Sequence, residues 1–159
     1  MLYASLKALH LLSVIVWIGG MFFMHVCLRP AAAEVLEPPT RIRLMHAAMR
    51  RFFDVVTVAI LLAALSGGAM VGIASREASR SGLTFNMPLD WYVMIALFIV
   101  MLLVFTHIRL ALFRRLEAAL AVEAWPDAAR AITSIRLEVV INLVIGVFIV
   151  VVVRLGGTA

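Results

Sequence analysis

The chain has 159 residues, 65% of them hydrophobic, and a mean hydropathy of +1.11, which is too apolar for a soluble domain and puts it in the membrane class. Its 14 Lys and Arg outnumber 9 Asp and Glu, a formal charge of +5. In a membrane protein that excess reports topology, and with no interleaving of aromatic and basic residues it excludes a nucleic-acid partner from the expectations.

The first apolar run, residues 2–28, contains KALHLLSVIVWIGGMFFMHVC. It imitates a secretory signal, with Lys7 before it and Ala31, Ala32 and Ala33 after it. The stretch is about twice the usual h-region, however, and Arg29-Pro30 stands where small residues are needed. It therefore reads as a mature spanning helix. The second run, 52–73, is preceded by RIRLMHAAMRRFFD, so its helix is expected to begin near Thr40, a cap candidate after Pro38-Pro39. SREASRSGLTFNMP reads as a loop. The third run, 89–113, enters at Asp90 after Pro88 and is expected to continue through RRLEAALAVEA to the Trp125-Pro126-Asp127 break. The fourth covers 132–155.

Four spans joined by short links predict an all-α integral membrane protein, an antiparallel four-helix bundle forming one domain over 1–159. Ten of the 14 cationic residues, namely Arg29, Arg41, Arg43, Arg50, Arg51, Arg109, Arg114, Arg115, Arg130 and Arg136, fall on the side of the first and third connections. Only Lys7, Arg76, Arg80 and Arg154 fall on the other. The first and third connections are therefore expected in the cytoplasm and both termini outside, on the periplasmic side of a bacterial inner membrane. Gly19-Gly20, Gly67-Gly68 and Gly146 favour close helix approach.

At about 100° per residue His10, Trp17, Met21 and Met24 share a stripe of the first helix, with His25 at its margin. His46, Met49, Phe53, Thr57, Ala64 and Gly67 share a face of the second. His107 lies with Leu103, Val100 and Ala96 on the third, and Ser134, Glu138 and Asn142 follow one another by turns on the fourth. Ionisable groups facing lipid are expensive, so these faces are expected to turn inward. His10 and His25 are about 22 Å apart along their helix, which separates two levels. His10 belongs to the outer half, level with Ser66, Gly67, Gly68, Leu97 and Gly146, where something flat such as a haem has room. The inner level combines His25, His46 and His107 with Met21, Met24, Met45, Met49 and Cys27, and has Asp54, Glu138 and Asn142 as surrounding polar groups.

Thioether, thiolate and imidazole donors suit Cu(I), whereas opposed imidazoles suit haem iron. The four histidines are thus candidate cofactor ligands. His25, His46, His107, Met21, Met24, Met49 and Cys27 are the candidate metal ligands, and copper and haem b stay open as alternatives. Methionine is also a common core filler, and Asp54 and Glu138 can serve simply to neutralise nearby Arg. Cys27 is the single cysteine, so no intrachain disulfide forms. No CxxCH, HExxH, phosphate-binding glycine loop or Ser-His-Asp arrangement is present, which disfavours covalent haem attachment and nucleotide hydrolysis.

The opening KALHLLSVIVWIGGMFFMHVCLRPA, with the later FTHIRLALFRRLEAAL and SIRLEVVINLVIGVFIVVVVRL, resembles the CopD (copper resistance protein D) family of bacterial inner-membrane proteins, the ALH and tryptophan–glycine–glycine elements being the sharpest part. The resemblance implies copper uptake or tolerance, with a periplasmic copper carrier or electron donor as a partner beside membrane lipid. Long members of that family carry spans that this chain lacks. The same opening is similar to the HemJ family of haem b-binding protoporphyrinogen oxidases, whose first-helix histidine corresponds to His10 and whose late Asn-Glu pair is matched only by Glu138. That family's histidine and lysine after a third-helix tryptophan are absent from WYVMIAL, which speaks against porphyrinogen oxidation. The expectation is a metal- or haem-binding membrane protein rather than an enzyme, an oxidoreductase if haem is bound, with a cofactor-free assembly subunit as the remaining alternative.

Overall fold

The computed structural model describes residues 1–156; the last three residues of the expected domain lie outside it. Four helical rods make the molecule, and no strand occurs among the described residues. The first rod, α1, covers Leu2–Val35, with a π-helical stretch at Phe23–Leu28 inside it. Next come α2, Pro38–Arg80, and α3, Leu89–Ala121, which has its own π-helical stretch at Ile108–Leu112. The last, α4, covers Trp125–Gly156. Each is long and apolar enough to cross a bilayer, and large apolar side chains such as Ile15, Leu65, Leu103 and Phe148 point outward from all four, as a lipid-facing girdle requires.

Local chemistry sets the ends. Leu36 and Glu37 are extended; Glu37, which precedes Pro38, is pushed out of the helical region by it. Pro38 and Pro39 then occupy the first turn of α2, where a missing N–H costs nothing. Thr40 is therefore inside the helix and not its cap. At the other end α2 does not stop near Ile73 but continues through most of the Ser/Arg segment read as a loop. Ser79 and Ser81 hydroxyls bond back to the Ser75 and Glu77 carbonyls, so the helix ends only where Gly82 (φ +67°) takes the left-handed conformation. Leu83 N–H then reaches Ala78 O and Gly82 N–H reaches Ser79 O, which closes a Schellman motif. The end of α3 repeats the motif with Glu123 (φ +53°) in the glycine position: Ala124 N–H bonds Ala119 O and Glu123 N–H bonds Leu120 O.

The helices pack as two hairpins, α1 on α2 and α3 on α4, with α1 also against α4; the backbones of α2 and the first part of α3 are not closely apposed and meet through side chains. At Gly20 a Cβ would collide with the Phe52 ring, and at Gly146 it would meet Ile18 and Met101. These two glycines let the rods close on each other. A run of edge-to-face aromatic contacts then fills the axis. Trp17 meets Phe98 and Phe105 at 6.0 and 6.3 Å between ring centres, and Phe53 meets Phe105 at 5.8 Å and Phe113 at 5.2 Å. Trp17, Phe53 and Phe113 are buried.

One inward face differs from the sequence reading. Up to Leu112 the buried residues of α3 are Met101, Phe105, Ile108 and Leu112, while Leu103 and Val100 face outward and His107 is exposed. Leu89–His107 is apolar on every side, so hydrophobicity carries no phase there. The π-helical stretch shifts the phase again by adding a residue.

Candidate functional site

Where α2 and α3 diverge, in the half of the bundle that holds the termini, a cavity of about 340 Å³ opens. Its walls come from all four helices, with Gly67, Gly68 and Gly146 where side chains would fill it, Met94 and Phe98 on α3, and Trp17 and Met101 near its floor. The lining is apolar apart from His10.

His10 is held in one orientation. Its Nδ1 lies 2.9 Å from the Ala63 carbonyl oxygen and 3.3 Å from Ser66 Oγ. A carbonyl only accepts, so Nδ1 carries the proton and donates it. The Ser66 hydroxyl is turned to the Leu62 carbonyl at 2.5 Å, which leaves its oxygen as a further acceptor. Nε2 therefore keeps its lone pair, and it has no partner among the described residues. Anchoring one ring nitrogen on a backbone carbonyl is how proteins orient an imidazole for ligation through the other. Gly67 leaves room for the arrangement, because a Cβ there would press on the ring at 3.3 Å. Ser66, Gly67, Gly68 and Gly146 thus gather around His10 at the level that the helix directions predict; Leu97 does not line the cavity and its neighbour Phe98 does.

A second, much smaller pocket of about 40 Å³ lies at the opposite, arginine-rich end. His25 and Met24 reach it from the π-helical part of α1, Met45 and Met49 from α2. Arg29 and Arg136 line its rim, and Arg41 is within electrostatic reach of Arg29. Among the described residues none of these three arginines has a carboxylate partner.

The remaining candidates are dispersed. His46 stacks on Phe113 at 5.1 Å, with its Nε2 buried, unbonded and 3.7 Å from Glu117 Oε1. His107, half exposed, donates from Nδ1 to the Glu138 carboxylate at 2.9 Å. Asp54 pairs with Arg109 at 3.5 Å, whose guanidinium lies over the Phe53 and Phe113 rings. Cys27 is exposed and Met21 is packed in the core. Asn142 is 1% exposed; its Nδ2 donates to the Met101 carbonyl at 3.1 Å, and its Oδ1 has no partner. Among the described residues no three His, Cys, Asp or Glu side chains approach closely enough to hold a metal ion together. The inner level is therefore one imidazole with three thioethers, and two separate histidine–carboxylate pairs.

Two residues of the outer cavity, Met94 and Met101, escape the sequence reading. A signal for them exists. They stand seven apart on one face of α3, and alternating helix directions bring Met94 to the depth of His10.

The family model described as copper resistance protein D matches residues 46–155. The matched stretch holds α3, α4 and most of α2, and leaves His10 and His25 of α1 outside it. No curated protein and no solved structure matches the chain.

Proposed function

The chain belongs to the copper resistance protein D family, and from that premise we propose that it handles copper as Cu(I) within a multi-pass membrane bundle, with His25, Met24, Met45 and Met49 as the ligand group. The observation that carries this reading is the meeting of one imidazole and three thioethers at a single pocket. Neutral soft donors favour Cu(I) over hard or divalent ions. Arg29 and Arg136 add to that preference, since a guanidinium repels a divalent ion twice as strongly as a monovalent one at equal distance. His107 is bonded to Glu138 and His46 stacks on Phe113 near Glu117, so both act here as interhelical ties. With the charge asymmetry setting the orientation, the His10 cavity faces the outside of a bacterial inner membrane, where a copper carrier delivers, and the His25 pocket faces the cytoplasm.

Titration of detergent-purified protein with Cu(I) against a chromogenic Cu(I) chelator tests the reading. The wild type is expected to take up Cu(I). His25→Ala and the pair Met45→Leu with Met49→Leu lose affinity at least about tenfold, while His46→Ala, His107→Ala and Cys27→Ser keep it. Absence of uptake above background, or uptake indifferent to His25 and both methionines, overturns the proposal. A Soret band that shifts in His10→Ala would give the outer cavity to haem b instead.

A further inference from the structure

The two cavities lie in opposite halves of the bundle, and the buried core that joins them contains Met21 and Met101. Ile18 and Met101 both rest against Gly146, which fixes their common depth. Seven residues back on α3, about 10 Å nearer the terminal face, Met94 comes level with His10 and lines the same cavity. One turn past Ile18, about 4.5 Å deeper, Met21 lies in the core at 2% exposure. A further turn brings Met24 into the His25 pocket with Met45 and Met49. Ordered by depth, six of the nine methionines make a column from one cavity to the other, and Met21, Met49 and Met101 belong to a single contiguous buried cluster.

Two observations besides the sulfur spacing mark this column as more than packing. His10 offers a bare Nε2 lone pair at one end. Asn142 holds an unpaired Oδ1 in the layer of Met101, buried and tied to the Met101 carbonyl through its amide nitrogen. A buried carbonyl oxygen without a partner is costly, and a cation passing at that level would give it one.

We propose that the column is a path for Cu(I) between the two cavities, with His10 and Met94 at one end, Met101, Asn142 and Met21 along it, and the His25 pocket at the other; it rests on the copper reading above. The ion leaves one neutral donor and is taken up by the next, so it keeps its single charge and no proton or electron moves. Thioethers suit such exchange because they are neutral and conformationally adaptable. The packed rings of Trp17, Phe98 and Phe105 around the path exclude hydrated ions.

The test uses the full chain in liposomes, with Cu(I) presented on one side and a membrane-impermeant Cu(I) chelator on the other. Met101→Leu and Met21→Leu conserve volume and remove only the donor. Each is expected to slow transfer at least about tenfold while Cu(I) held at the His25 pocket is unchanged. Met70→Leu and Met87→Leu, which line neither cavity, leave transfer at the wild-type rate. Wild-type rates in both Met21→Leu and Met101→Leu, or a wild type that binds Cu(I) and passes none, overturn the path and leave the copper reading standing. Absence of any Cu(I) binding removes both. Should Met21→Leu fail to fold, Met101→Leu combined with Met94→Leu carries the same comparison.

Discussion

Single positions already separate packing from conformation. Glu123 sits in a left-handed conformation that costs a non-glycine residue roughly 1–2 kcal/mol, and its ion pair with Arg43, at 3.0 Å, is solvent-exposed on both sides and worth little. Glu123→Gly is therefore expected to stabilise the protein by about 1 kcal/mol, read as a higher unfolding midpoint in detergent. Two adjacent glycines should respond in opposite directions. Nothing lies within 4 Å of a Cβ at Gly19, so Gly19→Ala gains up to about 1 kcal/mol of helix propensity. Gly20→Ala drives a methyl into the Phe52 ring and loses about 1–3 kcal/mol by overpacking. At this scale the sequence is a partial guide. An imidazole at mid-depth announces His10, and its turn-by-turn offsets bring Ser66 and Gly67 beside it. The Ala63 carbonyl that fixes its proton is backbone, and backbone partners carry no letter in the sequence.

Among the helices, the two π-helical stretches matter most. That at Phe23–Leu28 contains His25 and sets the direction of everything after it on α1. Deleting the exposed Val26 removes the extra residue, so the stretch should return to ordinary helix with Arg29 kept in phase and His25, inside the stretch, displaced from the pocket. The expected result is unchanged helix content by circular dichroism with weakened Cu(I) uptake. On the axis, Phe53 makes edge contacts to Phe105 and Phe113 at 2% exposure, and Phe53→Ala is expected to cost about 3–5 kcal/mol, measured by chemical unfolding in detergent. The existence of the rods was plain from their apolar runs, and Pro38 and the Trp125-Pro126 break marked two boundaries well. The far end of α2 was not, because serines that signal a loop can also fold back onto helix carbonyls. Nor was the inward side of α3, where uniform apolarity erases the periodic signal and His107 comes out exposed beside Glu138.

For the molecule as a whole, the antiparallel bundle and its two depths of histidine follow from length, hydropathy and the alternation of direction. The merging of three inner histidines into one centre does not follow, since depth along an axis says nothing about angle around it, and the helix contacts put Glu117 and Glu138 beside two of them. Orientation can be checked directly. With ten arginines on one side and the termini on the other, a C-terminal reporter that matures only outside the cytoplasm should be active; activity of a cytoplasm-only reporter there would reverse the assignment.

The 43 residues of α2 extend to about 65 Å, roughly twice the hydrocarbon thickness. Its first turns stand clear of the lipid on the arginine side and are clasped by the ends of α3 and α4 around a dry core of Phe113, Leu116 and Ala128, each with no exposed surface. That knot of helices is a stopper. On the proposed path, an ion leaving the His25 pocket would find no straight way down the axis and would emerge sideways, past Arg29 and Arg136, among the lipid phosphates. A partner collecting it there would have to work at the membrane's skin, and not at the tip of the protruding knot.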